Sequence, residues 1–72
     1  MATLEERSQA LIRIVRAHKG LMNVRKALVE TAKELHISPS SMNHALTYAR
    51  HEGYVTTNSL TSTIRLGGGD HE

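Results

Sequence analysis

The side chains with chemistry to offer are concentrated in one stretch, residues 38–52. Ser40, Ser41, Asn43, His44, Thr47 and Arg50 bring hydroxyl, amide, imidazole and guanidinium groups, a set rich in hydrogen-bond donors and acceptors. Met42, Ala45, Leu46 and Ala49 recur at helical spacing between them, so the polar residues fall largely off an apolar stripe. One face is for packing and the other for contact. The chemistry this points to is hydrogen-bonded binding, not bond making. The chain has no cysteine, no phosphate-binding glycine loop and no HExxH pattern, and the triple glycine at 67–69 has no helix after it. His44 and His51 stand two helical turns apart, about 10 Å, which is too far to share one ion. His18 and His36 are isolated, and His51 near a helix C-terminus suits the dipole. The expectation is a protein that is not an enzyme, with no catalytic residue, metal ligand or cofactor.

The elements that must position this face can be read from local signals. Ser38 is a good N-cap and Pro39 then occupies the first helical position, where its missing N–H has no intrahelical partner. A helix is therefore predicted to begin abruptly at Pro39 and to run to about residue 52, where Gly53 stops it in a left-handed conformation. Upstream, Thr3 and Glu6 have capping-box spacing, so a first helix starts at about Leu4 and carries Leu11, Ile14, Val15 and His18 as its stripe, with Gly20 as its stop. Ile12 lies off this stripe. It is read as exposed, either harmlessly or, with Ala10 and Leu4 nearby, as part of a homodimer contact through helix 1.

Leu21 and Met22 are expected to pair as a minimal strand before a second cap, Asn23. The second helix, 24–36, buries Val24, Ala27, Leu28, Thr31 or Ala32, and Leu35, and leaves Arg25, Lys26, Glu30 and Lys33 outside. Only His36, Ile37 and Ser38 separate it from Pro39, a link suited to two helices crossing steeply, with Ile37 plugging the corner. After Gly53, threonine and branched residues at 54–57 and 60–66 predict a β-hairpin, turning at Asn58 and Ser59. Because the turn is not Asn-Gly, its register is open by a residue or two. The domain is taken as 1–66, with 67–72 as a flexible tail.

Composition narrows the class further. At 72 residues, with two tyrosines as the only aromatics, the core must be a thin one of Leu, Ile, Val, Met and Ala. The absence of disulfides fits a reducing compartment. The apolar runs are far short of the roughly 20 residues of a membrane span, and a cytoplasmic location is expected. Between Arg7 and Arg65, nine Lys or Arg face only Glu30, Glu34 and Glu52, a local charge of +6. A basic middle with acidic ends points mildly to a polyanion and is equally the mark of an ordinary solvated surface.

Helix, short strand, helix, tight turn, helix and hairpin resembles the order of a winged helix-turn-helix domain, α+β but mainly α. The resemblance covers about residues 11–66. It rests on Gly20, Leu21 and Met22, on Thr31, Ala32 and Leu35, on Ile37 through Met42, on Ala45 and Leu46, and on Gly53, Tyr54 and Val55. These positions look like those that bacterial, archaeal and phage winged-helix regulators use for helix packing, the turn, the recognition helix and the approach to the wing.

The resemblance implies that 39–52 is a recognition helix lying in the major groove of double-stranded DNA. Asn43 would pair bidentately with adenine, Ser40, Ser41 and Thr47 would meet base edges or phosphates, and Arg50 and His44 would reach phosphate or guanine. For Ser40 and Ser41 the local alternative is capping of their own helix. The wing offers Arg65, with Asn58 and Ser59 at its tip. Arg25 and Lys26 look better placed for phosphates, joined there by helix N-terminal amides, or else are simply solvated. Ser38 completes the implied DNA-binding set. The implied function is a transcriptional regulator of prokaryotic or phage origin, a repressor occupying an operator, with no small-molecule ligand evident. The alternative is a winged-helix protein-interaction module.

Overall fold

The computed structural model describes residues 3–67. In chain order these form α1 (Leu4–Ala17), β1 (Leu21–Asn23), α2 (Val24–Leu35), a 3-10 turn (Pro39–Ser41), α3 (Met42–His51), β2 (Val55–Asn58) and β3 (Thr63–Leu66). The class is α+β and mainly helical, and the topology is that of a winged helix-turn-helix. The local signals for α1 and α2 hold. Thr3 and Glu6 close a reciprocal capping box, and the Asn23 side chain accepts from the Lys26 N–H at 3.1 Å. α1 ends at Ala17, before Gly20, because Lys19 already adopts a left-handed φ of 65°. His36 takes the same role after α2 with φ 58°, and the Ile37 N–H then closes on the Ala32 carbonyl at 3.0 Å.

α1 is the central element, packed against α2, α3, β1 and β3. This overturns the single-stripe reading of that helix. Ile12 is 9% exposed and Ala10 1%, while His18 is solvent-exposed and bonds Glu30 at 3.4 Å. A helix covered on several sides buries a broader arc than one period predicts, and Ser8 joins it by donating its hydroxyl to the Glu5 carbonyl. Of the helix 1 residues assigned to a self-contact, only Leu4 stays exposed. The core consists of Leu11, Ile12, Val15, Met22, Ala27, Ala32, Met42, Ala45, Ala49, Val55 and Ile64. Full burial of each larger member stabilises by about 1.5–3 kcal/mol. Both Thr31 and Ala32 are buried, and the Thr31 hydroxyl donates to the Ala27 carbonyl at 2.7 Å, so the polar group carries no desolvation penalty.

The sheet has the order β1-β3-β2, antiparallel throughout. Its register aligns Leu21, Arg65 and Thr56 in one row, Met22, Ile64 and Thr57 in the next, and Asn23, Thr63 and Asn58 in the third. Alternation puts the middle row toward the helices and the outer two rows toward solvent. The hairpin turn spans 59–62, longer than the two-residue turn expected at Asn58 and Ser59. Asn58 is the last residue of β2, and its side chain accepts the Leu60 N–H at 2.9 Å, which draws the chain into a wider loop. Val24 at the start of α2 donates to the Ser62 carbonyl at 2.9 Å and ties the loop down. Gly67 was assigned to the tail, yet its N–H donates to the Tyr54 carbonyl at 2.7 Å and extends the hairpin. The rest of that tail, 68–72, lies outside the described residues.

Candidate nucleic-acid interface

The start of the third helix departs from expectation. Pro39–Ser41 is a 3-10 turn, and the Ser38 side chain makes no cap hydrogen bond. Its hydroxyl meets those of Ser40 at 3.2 Å and Ser41 at 3.0 Å. Pro39 accounts for the tight turn, because its fixed φ admits the 3-10 geometry and it has no N–H to offer a cap. Neither Ser38 nor Ser41 caps α3 with its side chain; backbone carbonyls of the turn accept instead, Ser38 from the Ser41 N–H at 3.0 Å and Pro39 and Ser40 from the Met42 N–H. Ser40 is exposed and Ser41 half-buried.

Along α3, successive residues turn by about 100°. Met42, Ala45 and Ala49 face the core, and the exposed surface divides into two ridges. Asn43, Thr47 and Arg50 share the first, within about 60° of one another. His44 and His51 share the second, which borders Tyr48. The Thr47 hydroxyl donates to the Asn43 carbonyl at 3.1 Å, leaving its oxygen as an acceptor toward solvent. Half-buried Leu46 flanks the first ridge and lines a cleft of about 290 Å³ together with Val24, Thr57, Asn58, Ser59 and Ser62. The cleft brings Leu46 of α3, the start of α2 and the tip of the hairpin around one concavity. Asn58 and Ser59 lie there, next to the flank of the first ridge, and both also line a second groove on the sheet, whereas His44 stands on the other side of α3.

The remaining basic residues separate in the same way. Glu30 and Glu34 of α2 pair with His18 at 3.4 Å and Arg13 at 3.0 Å, so that side of α2 faces α1. Arg25 lies about 140–180° around α2 from those glutamates, and Lys26 only about 40–80°. Arg25 is the better placed of the two for a surface shared with α3. Arg65 sits on the solvent face of the sheet, in a second groove of about 610 Å³ with Leu21, Thr56 and Leu60. It is not part of the α3 surface.

Sequence reading missed two features. Leu60 at the hairpin tip is 94% exposed, a leucine without a core role that strand alternation assigned to β3. The other is a polar cluster beneath α3, where the Tyr48 hydroxyl donates to Glu5 at 2.6 Å. Forty-three residues separate the pair, and no local spacing announces such a contact. Carboxylates are in fact drawn to the scaffold. Among the described residues Glu5, Glu6, Glu30 and Glu34 all bond within it, and Glu52 alone makes no such bond. No group of three His, Asp or Glu among the described residues is placed to hold a metal ion, and no described helix is long and apolar enough to cross a membrane. Comparison with known protein families, with curated proteins and with solved structures finds no match to this chain.

Proposed function

We propose that this winged-helix domain is a sequence-specific regulator that binds double-stranded DNA, with α3 in the major groove, and represses by occupying an operator. The observation that carries this reading is the ridge of Asn43, Thr47 and Arg50, exposed beside the cleft and free of carboxylates, while the scaffold's own glutamates are held toward α1. Asn43 supplies an amide with the donor and acceptor pattern of adenine's major-groove edge. Arg50 and Arg25 supply phosphate contacts. Ser38, Ser40 and Ser41 add hydroxyls at the start of α3. Leu4 is the one residue of the expected helix 1 self-contact that remains available, so a two-fold pair of recognition helices would have to form around it.

The test is fluorescence-anisotropy titration of a random-sequence duplex at several salt concentrations. Phosphate contacts from about two cations give a log–log slope near −2. Absence of binding at about 50 mM salt would discard the DNA reading and leave the protein-interaction module in its place.

A further inference from the structure

Glu5 lies in the first turn of α1. Its carboxylate accepts from Gln9 Nε2 at 2.8 Å and from the Tyr48 hydroxyl at 2.6 Å, and the Tyr54 hydroxyl stands 3.5 Å away. The two tyrosine rings meet edge to face, with centroids 6.3 Å apart and planes at 71°. The 2.6 Å separation is that of a charge-assisted O–H···O⁻ bond, the stronger class. Two residues further along α1, Arg7 Nη1 makes a long contact to the Ser41 carbonyl at 3.5 Å, and its Nε is buried with no partner among the described residues. The first turns of α1 thus hold α3 at its start and again in its second half.

What they hold is a helix with little grip of its own. Met42 is the only large side chain among the fully buried residues of α3, with Leu46 half-buried at the edge of the core, and Ala45 and Ala49 offer almost no ridge to lock into a groove. Rotation about the helix axis is therefore weakly resisted by packing. At a side-chain radius of about 5–6 Å, a 20° rotation displaces a group by about 2 Å, several times what a hydrogen bond to a base edge tolerates. We propose that Glu5 and Tyr48 are positioning residues, whose carboxylate–phenol bond fixes the rotation of α3 and so aims the Asn43, Thr47 and Arg50 ridge at its target. The proposal rests on the reading of α3 as the duplex-binding element.

The bond also leaves a titration signature. The Tyr48 hydroxyl, then the Gln9 amide, hold the Glu5 carboxyl below its ordinary range. The bond to Glu5, and then burial, push the Tyr48 phenol up to about 12, with the Glu5, Tyr54 and Glu52 charges adding to it. Tyr54 is raised chiefly by burial and then by the Glu5 charge. A lowered carboxyl stabilises above its unfolded value and loses that contribution as pH falls through the folded one. A raised phenol stabilises below about pH 10 and loses its contribution as pH climbs toward about 12. The bond is therefore intact across the neutral range and released at both extremes.

The chain lacks tryptophan and has two tyrosines, so alkaline absorbance titration reads Tyr48 and Tyr54 alone. Binding is measured in parallel on the tightest duplex that the wild-type chain selects from a random pool. In Glu5→Ala the high-pH tyrosine step should move from about 12 toward 10. Glu5→Ala and Tyr48→Phe should each bind the selected duplex about three- to tenfold more weakly while their circular dichroism stays that of the wild type. Glu5→Gln keeps an acceptor oxygen and should bind within about twofold of wild type. An unmoved tyrosine step in Glu5→Ala would overturn the proposal, as would a moved step with unchanged affinity in both variants. If Glu5→Ala fails to fold, Tyr48→Phe, which keeps the ring, decides. If the wild-type chain selects no duplex, the DNA reading and the positioning role fall together, and the tyrosine titration then reports separately whether the bond exists.

Discussion

The two ends of α3 are built on opposite terms. At its start, a 3-10 turn leads in, no side chain caps the helix, Arg7 of α1 reaches the Ser41 carbonyl only in a long contact of 3.5 Å, and three serine hydroxyls bond with one another. At its end every strand of support converges. Gly53 turns the chain at φ 79°, the Tyr54 N–H closes on the Ala49 carbonyl at 2.8 Å, the Tyr54 carbonyl accepts from Gly67, and Tyr48 is bonded to Glu5. A helix meant to meet a partner needs one end fixed to the scaffold and one end with unspent hydrogen-bonding capacity, because every group committed internally is lost to recognition. The division of labour follows from residue type. Tyrosine and glycine make the fixed end, and serine, proline and asparagine make the open one.

The largest effect is expected where the fixed end is tightest. A Cβ on Gly67 would overlap the Gly53 carbonyl oxygen and lie 2.9 Å from the carbonyl carbons of Gly53 and Tyr54. Those are backbone atoms with no rotamer to yield. Gly67→Ala must either part the end of β3 from the α3 exit or give up the bond to Tyr54, at about 1–3 kcal/mol. Thermal melting should then fall by at least about 4–8 °C. An unchanged melting temperature would mean that the hairpin does not close at Gly67 and that the two ends of α3 differ less than drawn here.

At the open end, substitutions should act on binding and leave stability alone. Asn43→Ala should lose about 1–3 kcal/mol on the preferred duplex and relax discrimination there, with random duplex nearly unaffected. Arg25→Ala should weaken all sequences alike and flatten the salt dependence by about one unit of slope. Competition anisotropy at two salt concentrations separates the two. Lys26→Ala sharpens the comparison, because its turn toward α1 predicts a smaller change in slope than Arg25→Ala. Equal loss of specific and random binding in Asn43→Ala would remove α3 as the reading element.

What was legible in the sequence was whatever is local. The capping box at Thr3 and Glu6, the Asn23 cap, and the order of helices and strands all depend on contacts within a few residues, and each appears where its spacing put it. Ile12 was misread because a periodic stripe assumes one buried side, whereas α1 is enclosed by two helices and the sheet. The hairpin turn was misplaced because the Asn58 side chain binds inside the loop, a choice that pairing with Thr63 permits and the dipeptide alone does not reveal. Within the candidate interface, helical spacing was enough to place Asn43, Thr47 and Arg50 on one ridge. It gave no means of seeing that Tyr48 reaches Glu5.

The smallest effect tests the open end most directly. Asn23 and Ser38 are alike in sequence, each a cap residue one step before a helix, but only the Asn23 side-chain oxygen accepts a helix amide, the Lys26 N–H. Asn23→Ala should therefore cost about 1 kcal/mol and lower the melting temperature by about 4–8 °C. Ser38→Ala removes a hydroxyl that bonds only to other serines, and its effect should stay within about 0.5 kcal/mol, the range of ordinary surface substitutions. Chemical denaturation of the two variants side by side resolves the difference. A Ser38→Ala loss equal to that of Asn23→Ala would show that Ser38 caps α3 in solution. The Ser38 hydroxyl would then be committed to the helix and lost to an incoming phosphate.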